Sequence, residues 1–417
     1  MKRILFVDDE INVLNGLKRM LRFTARDWSM SFCQSGEDAL AVMEKFPDFD
    51  VVVTDLNMDG MSGADFLLRV RDEYPNTVRF VLSGSTDAHL MLKVSNVAHQ
   101  VLGKPCEPQQ LYGAVSRAFA LRDQFTTGTL QSLIHRMGKL PALPILYEQI
   151  LQEMVLEDAS VGRVGALIEK DPALSVKILQ IVNSAYMGVR NPVSNLVQAC
   201  SMLGLENLKN VVLMAEVFDL SVGARLPKCF SLDALWQHCL VVGEGARNIA
   251  SRETNEKKII DHAFTAGLLH EVGQLILATQ LTDEFASAIE YAQKNHLTLI
   301  DAEQKIMGVT HAQVGSYLLE LWGLPDPVVE AIAYHVYPSA CPIDHYSLVE
   351  SGYDVEEDPN FSPLCALHVA NYFAEEKDAL GFIRNDADTN YLEGLGYIEN
   401  MDPWWDCCNQ GAVQRMS

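Results

Sequence analysis

Val51-Val52-Val53-Thr54-Asp55, followed by Leu56-Asn57-Met58-Asp59-Gly60, decides how the first third of this chain folds. A short run of β-branched apolar residues fits a strand buried on both faces, as in a parallel sheet. The run stops on a carboxylate, at the carboxyl edge where open α/β sheets place their chemistry. An earlier apolar run, Ile4-Leu5-Phe6-Val7, ends in the same way on Asp8-Asp9-Glu10. Acids crowded at one sheet edge repel each other unless a hard divalent cation lies between them. The pattern predicts a magnesium pocket built around Asp55.

Working outward, strands are expected over 4–7, 28–33, 51–54, 79–82 and 100–102, with helical patterns over 11–23, 36–46 and 63–74. Such alternation implies βαβ units and a parallel sheet with right-handed crossovers. Two more polar residues fall at strand ends: Ser83 after Phe80-Val81-Leu82, and Lys104 in Leu102-Gly103-Lys104-Pro105. Folded this way, Asp8, Asp9, Asp55, Ser83 and Lys104 converge on one edge. The set suits phosphoryl transfer onto a carboxylate. Asp55 is the nucleophile, and Asp9 and Asp55 hold Mg²⁺, with Asp8 acting through water. Lys104 offers a point charge and Ser83 a hydrogen bond to the phosphoryl group. Any one of these alone reads as a solvated strand end; five at matching ends do not.

These motifs, with Thr54-Asp55-Leu56-Asn57-Met58, Gly60-Met61-Ser62-Gly63, Leu82-Ser83-Gly84 and Lys104-Pro105, resemble the response-regulator receiver domain of two-component signalling. The resemblance spans residues 1–123. It implies phosphorylation of Asp55 by a sensor histidine kinase, and a magnesium shell completed by the Asn57 carbonyl. Two positions depart from that family. Asp59 stands where proline is usual, and Val101 where a switch aromatic is common.

The chain has 417 residues, 48% of them apolar, which fits two or three globular domains. Formal charge is −23, from 55 acids against 32 Lys and Arg. A polyanion of this strength is repelled by phosphate backbones and by anionic membranes, so neither nucleic acid nor membrane is an expected partner. No apolar run approaches the ~20 residues of a bilayer span. Nine scattered cysteines without a CxxC pair, and a start without a leader pattern, lead to the expectation of a cytoplasmic protein.

After residue 123, a linker helix is expected over 124–139, carrying Leu130, Leu133, Ile134 and Met137 at helical spacing. From Leu140 onward, helical patterns dominate. Ser160 and Asp171-Pro172 are placed to start helices, and Gly204 to interrupt one. His238, His270-Glu271, His311 and His335 lie in these stretches. Several histidines plus a carboxylate can hold one or two metal ions and activate water. The alternative is a set of buried, hydrogen-bonded helix residues. Beyond 340, an extension and tail is expected, with a helix over 364–373 and with Trp404-Trp405 folded back onto the helical domain.

Leu140-Pro141-Ala142-Leu143-Pro144, Asp171-Pro172-Ala173-Leu174-Ser175, Val182-Asn183-Ser184-Ala185-Tyr186, Gln198-Ala199, Ala266-Gly267-Leu268-Leu269-His270 and Trp322-Gly323-Leu324-Pro325 resemble the HDOD domain, an output relative of the HD phosphohydrolases. An active HD enzyme has aspartate beside the histidine, where this chain has Glu271, and a late aspartate where Asn371 stands. No Gly-Tyr-Pro follows His335. The resemblance therefore implies a vestigial site and an output that is not an enzyme, with no cofactor of its own. The expectation is an α/β doubly wound, five-stranded parallel receiver domain (1–123) and a linker (124–139). An all-α, HD-like HDOD domain (140–340) and an extension (341–417) follow. Its function would be that of a phosphorylated response regulator acting on a protein target, such as an enzyme of cyclic-di-GMP turnover, with a homodimer as a further candidate assembly. The alternative is a metal-dependent phosphohydrolase or cyclic-di-GMP phosphodiesterase.

Overall fold

Five strands pair in parallel in the order β2-β1-β3-β4-β5: β1 (Lys2–Val7), β2 (Trp28–Cys33), β3 (Val51–Asp55), β4 (Val78–Ser83) and β5 (Gln100–Gly103). The computed structural model describes residues 2–22, 28–74, 77–83, 97–104, 106, 111–113, 115–116, 144–156, 159–182, 193, 195–219, 221, 224–341, 361–375 and 386–413. The linker expected over 124–139, most of the Leu140–Pro144 motif and the Val182–Tyr186 motif beyond Val182 lie outside them.

Register fixes the functional edge. Val7 pairs with Thr54, Asp55 with Leu82, and Ser83 with Gly103. The carboxyl ends of β1, β3, β4 and β5 therefore stand side by side. Between the strands run α1 (Ile11–Leu21), α2 (Gly36–Lys45) and α3 (Gly63–Glu73). Leu5, Val7, Val52 and Val81 share one core with Ala39 and Met43 of α2 and Phe66, Leu67 and Val70 of α3. Ile4, Phe6, Val51 and Val53 are as fully buried, so both faces of the sheet are covered, as a parallel sheet requires. Ser35 and Ser62 cap α2 and α3 by accepting the Asp38 and Asp65 N–H groups. Each strand begins or ends within two residues of its sequence expectation. The helices stop one or two residues early, where Phe46 and Tyr74 leave helical φ/ψ.

The chain divides into two compact units, Met1–Ile145 with Leu318–Gly323, and Leu146–Tyr317 with Leu324–Ser417. The second is helical: α4 (Ile145–Val155), α5 (Val161–Ile168), α6 (Pro172–Val182), α7 (Leu196–Asp219), α8 (Leu232–Glu253), α9 (Lys257–Leu269), α10 (Val272–Gln280), α11 (Thr282–Asn295), α12 (Leu299–Ile306), α13 (His311–Leu321), α14 (Asp326–Tyr334), α15 (Pro363–Glu375), α16 (Thr389–Leu395) and α17 (Met401–Val413). Ser160 caps α5, and Asp171 caps α6 by accepting the Leu174 N–H at 3.0 Å. Gly204, at φ 73°, breaks α7 into two segments where the sequence placed a stop.

At the centre, α8 packs against α9, α15 and α17. Leu364 to Leu367 and Val369 of α15 are buried. The region past residue 340, expected as an extension, thus supplies a central helix of this core. The tail is likewise a helix: on α17, Trp404 is fully buried and donates Nε1–H to Glu253 at 2.7 Å. Cys407 and Cys408 sit on this helix. No helix among the described residues is long and apolar enough to cross a membrane.

Candidate functional site

At the sheet edge, the Lys104 ammonium lies 2.7 Å from Asp8 Oδ2 and 2.6 Å from Asp55 Oδ1. Both carboxyls are buried. Burial alone would lower the lysine pKa. Hydrogen bonds and charge from Asp55 and Asp8 outweigh it and hold the ammonium above the ordinary lysine value. Asn57 donates its backbone N–H to Asp55 Oδ2 at 3.0 Å, so each oxygen of Asp55 has a defined partner. Asp8 accepts the Glu10 N–H through Oδ1 at 2.9 Å.

Asp9 is drawn toward the β3–α3 loop, accepting the Asp59 N–H at 3.0 Å. The departure from proline at Asp59 therefore has a consequence, because proline has no N–H to give. Gly63 must be glycine, since a Cβ there would fall 1.9 Å from the Asp55 carbonyl oxygen. Ser83 ends β4 beside Gly103; its side chain lies outside the described residues. An all-oxygen set from Asp8, Asp9 and Asp55 suits magnesium. Lys104 already occupies the place of a positive centre between two of these carboxyls, so the residues fit the ion.

The helical unit gathers all four predicted histidines. His238 comes from α8, His270 follows the end of α9, His311 starts α13, and His335 follows the end of α14. His238 Nε2 lies 3.2 Å from His270 Nε2. Glu271 reaches His270 Nε2 and His311 Nε2, each at 3.5 Å. The rings of His270 and His335 are 5.2 Å apart, and those of His311 and His335 are 5.6 Å apart. Close helix approach makes this convergence possible. A Cβ on Gly273 of α10 would meet the His311 carbonyl oxygen at 1.9 Å.

Two of the rings are oriented from behind by backbone carbonyls. His270 Nδ1–H donates to Gly267 O at 2.7 Å, and His335 Nδ1–H to Ile332 O at 2.8 Å. Burial, reinforced by neighbouring histidines, pushes His270 well below the usual histidine range and His335 down to about 3. Both imidazoles are therefore neutral, with Nε2 as a lone pair. Asn371 is buried on α15. Two sets of ligand atoms lie within 4.8 Å of one another: His238, His270 and Glu271, and Glu271, His311 and His335.

Two residues of this site were not singled out from the sequence. Glu303 of α12 is fully buried and accepts both the His311 N–H (2.8 Å) and Nδ1–H (2.7 Å). His368 of α15 donates Nδ1–H to the His335 carbonyl at 2.7 Å and accepts the Asp388 N–H at 2.9 Å. A lone histidine inside the apolar run 364–373 is the one local signal for His368. Glu303 has no such signal, because nothing in 299–306 distinguishes it from a solvated helix acid.

Residues 4–116 match the response regulator receiver domain family, and residues 140–338 the HDOD domain family. The chain thus carries an N-terminal receiver domain and a C-terminal HDOD domain. An uncharacterized protein of Treponema pallidum is 25% identical over 229 residues, covering 54% of this chain and 43% of that protein. The hydrogenase transcriptional regulatory protein HoxA of Cupriavidus necator is 32% identical over 155 residues, covering 36% of this chain and 30% of that protein. The chain spans less than half the length of either relative. The crystal structure of an HDOD domain protein of Geobacter sulfurreducens aligns with a TM-score of 0.50 at 21% identity, covering 71% of this chain and 89% of that one. That likeness concerns the fold. A receiver joined to an HDOD domain makes this a response-regulator-type signalling protein.

Proposed function

We propose that a sensor histidine kinase phosphorylates Asp55, and that the phosphorylated chain controls a protein target through a non-catalytic HDOD domain. The observation that carries this reading is Lys104 bridging Asp8 and Asp55 at the carboxyl edge of the sheet. An Asp55 carboxylate oxygen attacks the phosphorus of a phosphohistidine. The P–N bond breaks, imidazole leaves, and Asp55 becomes an acyl phosphate. Lys104 and the Asn57 N–H hold the carboxylate in one orientation before attack. Magnesium held by Asp8, Asp9, Asp55 and the Asn57 carbonyl would supply positive charge against the transferring oxygens. Ser83 then donates to the new phosphoryl group, which Lys104 also pairs.

The acyl phosphate carries about −1.5 to −2 charges beside Asp8 in place of the single charge of the Asp55 carboxylate. Lys104 must redistribute its contacts, and the domain shifts between two arrangements by ~1–3 kcal/mol. Glu271, longer than aspartate, and the neutral Asn371 support a non-catalytic output. An enzyme of cyclic-di-GMP turnover is one candidate target class. Asp55→Asn is expected to abolish labelling by acetyl phosphate, and phosphodonor is expected to change which proteins the full chain retains in a pull-down. Persistent labelling of Asp55→Asn would move the acceptor elsewhere.

A second reading, that the histidine cluster holds a metal ion, is favoured by one observation. His335 Nε2 is buried and has no hydrogen-bond partner, whereas buried polar atoms are nearly always satisfied. Two bound ions together with nucleotide hydrolysis would establish the phosphohydrolase alternative in place of the interaction module.

A further inference from the structure

Of the nine cysteines, Cys407 and Cys408 are neighbours in sequence, and both lie on α17. Neither is in a disulfide, and both are half-buried rather than sealed in the core. The Cys407 thiol donates to the Trp404 carbonyl at 3.1 Å. The Cys408 sulfur lies 3.8 Å from the Gly245 carbonyl oxygen, where α17 packs on α8. Their acidity sets them apart. Burial pushes the Cys33 and Cys200 thiols up to about 11, Cys341 up to about 12, and Cys239 well above the usual thiol range. Cys407 moves the other way. A hydrogen bond from the Cys408 thiol outweighs burial and, with the Arg252 charge nearby, holds Cys407 below the ordinary thiol value. The thiolate is the form that bonds soft electrophiles.

Two sulfurs in mutual contact can join directly or through a third atom. The helix opposes direct joining. Consecutive Cα atoms stand about 3.8 Å apart, whereas disulfides form over roughly 4.4–6.8 Å between Cα atoms. A soft centre bonded to both sulfurs escapes this limit. With bonds of about 2.3 Å, the length of a zinc–thiolate bond, it bridges sulfurs up to ~4.6 Å apart and leaves the backbone helical. Zinc itself asks for four protein ligands in a structural site. Among the described residues, no third histidine, cysteine or carboxylate ligand completes a close set with this pair. A centre that needs two sulfurs and no more fits better. We propose that Cys407 and Cys408 form a dithiol site on α17 that takes one monosubstituted trivalent arsenical across both sulfurs. With an arsenoso compound, R–As=O, two As–S bonds form and the arsenic–oxygen bond is lost. Both thiol protons leave with the oxygen as water, and arsenic stays trivalent.

The test treats the full chain with phenylarsine oxide in excess glutathione, which strips arsenic held by a single thiol, and reads the product by intact-mass spectrometry. One phenylarsenic adduct per chain is expected. It survives glutathione, comes off with the dithiol dithiothreitol, and leaves the far-UV spectrum unchanged. Cys407→Ser and Cys408→Ser each lose the adduct, while Cys229→Ser, at an exposed cysteine away from the pair, keeps it. Tandem mass spectrometry of the wild-type adduct places the bridge on Cys407 and Cys408, which decides the site even where a serine variant fails to fold. A wild type that keeps no adduct in glutathione overturns the proposal. So does an adduct mapped to other cysteines, or one retained by both Cys407→Ser and Cys408→Ser. A loss of helix on binding overturns the geometric argument that the bridge fits α17 as it stands.

Discussion

Lys104→Met isolates what the ammonium does before any phosphoryl group arrives. It stands 2.7 Å from Asp8 and 2.6 Å from Asp55, and the methionine stem keeps the packing. Without it, two buried carboxyls face each other uncompensated. Breaking an enclosed pair costs about 3–5 kcal/mol, and an exposed one about 0.2–1 kcal/mol. The lysine side chain is 24% exposed, which puts the loss between these limits, at about 2 kcal/mol. Amide hydrogen exchange over β3, followed by mass spectrometry, reads this locally. Protection is expected to fall ~30-fold in EDTA, at tenfold per 1.4 kcal/mol. Magnesium at a hundred times the variant's dissociation constant returns about 2.7 kcal/mol, so the variant's protection should rise to at least that of the wild type in EDTA. Unchanged protection in EDTA, or a variant whose protection magnesium does not raise, would refute the view that Lys104 neutralises a cation-binding pocket.

Asp59→Pro removes the N–H that Asp9 accepts; calorimetry should show magnesium bound roughly 2–10-fold more weakly, while Asp59→Ala stays within twofold. Trp404→Phe keeps most of the ring and loses the donor to Glu253, so thermal unfolding of the helical unit should report about 1–3 kcal/mol less stability; an unchanged midpoint would make that hydrogen bond immaterial. Burial and then the Lys209 charge push His262 down to about 4 from 6.5. Between those values the unfolded chain carries a proton that the folded chain does not. Stability through this group is therefore intact above pH 6.5 and falls as pH drops toward 4, by about 2 kcal/mol at pH 5. Glu148 and Glu244, raised to about 7 by burial, act in the opposite sense. The measure is thus wild type against His262→Gln, whose denaturant midpoint should fall less between pH 7 and pH 5.

The receiver sheet was legible because β1, β3 and β4 each carry an unbroken apolar run ahead of a polar strand end, Ile4–Val7 before Asp8, Val51–Val53 before Thr54-Asp55 and Phe80–Leu82 before Ser83. Asp8, Asp55 and Lys104 could be placed together from strand ends alone, since parallel register carries all carboxyl ends to one edge. The helical unit gave less. Its histidines were visible as residue types, and their convergence depends on helix crossings such as that at Gly273, which no local period encodes. Glu303 lies eight residues before its partner, on a different helix. Its role exists only after folding, and in sequence it is one acid in an amphipathic segment. Asp59 was noted as a departure, but its hydrogen bond to Asp9 spans fifty positions and could not be read from the turn. The central place of α15 was missed because an acidic stretch separates it from α14.

His270 and His335 each bond to a carbonyl three residues back in the helix they terminate. Each imidazole is therefore bolted to the end of its own rod and moves as that rod moves. The distances among these rings are a gauge of how α9 and α14 are seated, and sliding either helix by a fraction of its pitch would spread them apart. Spectroscopy of the histidines would then report mechanical rearrangement in the output domain with no label added.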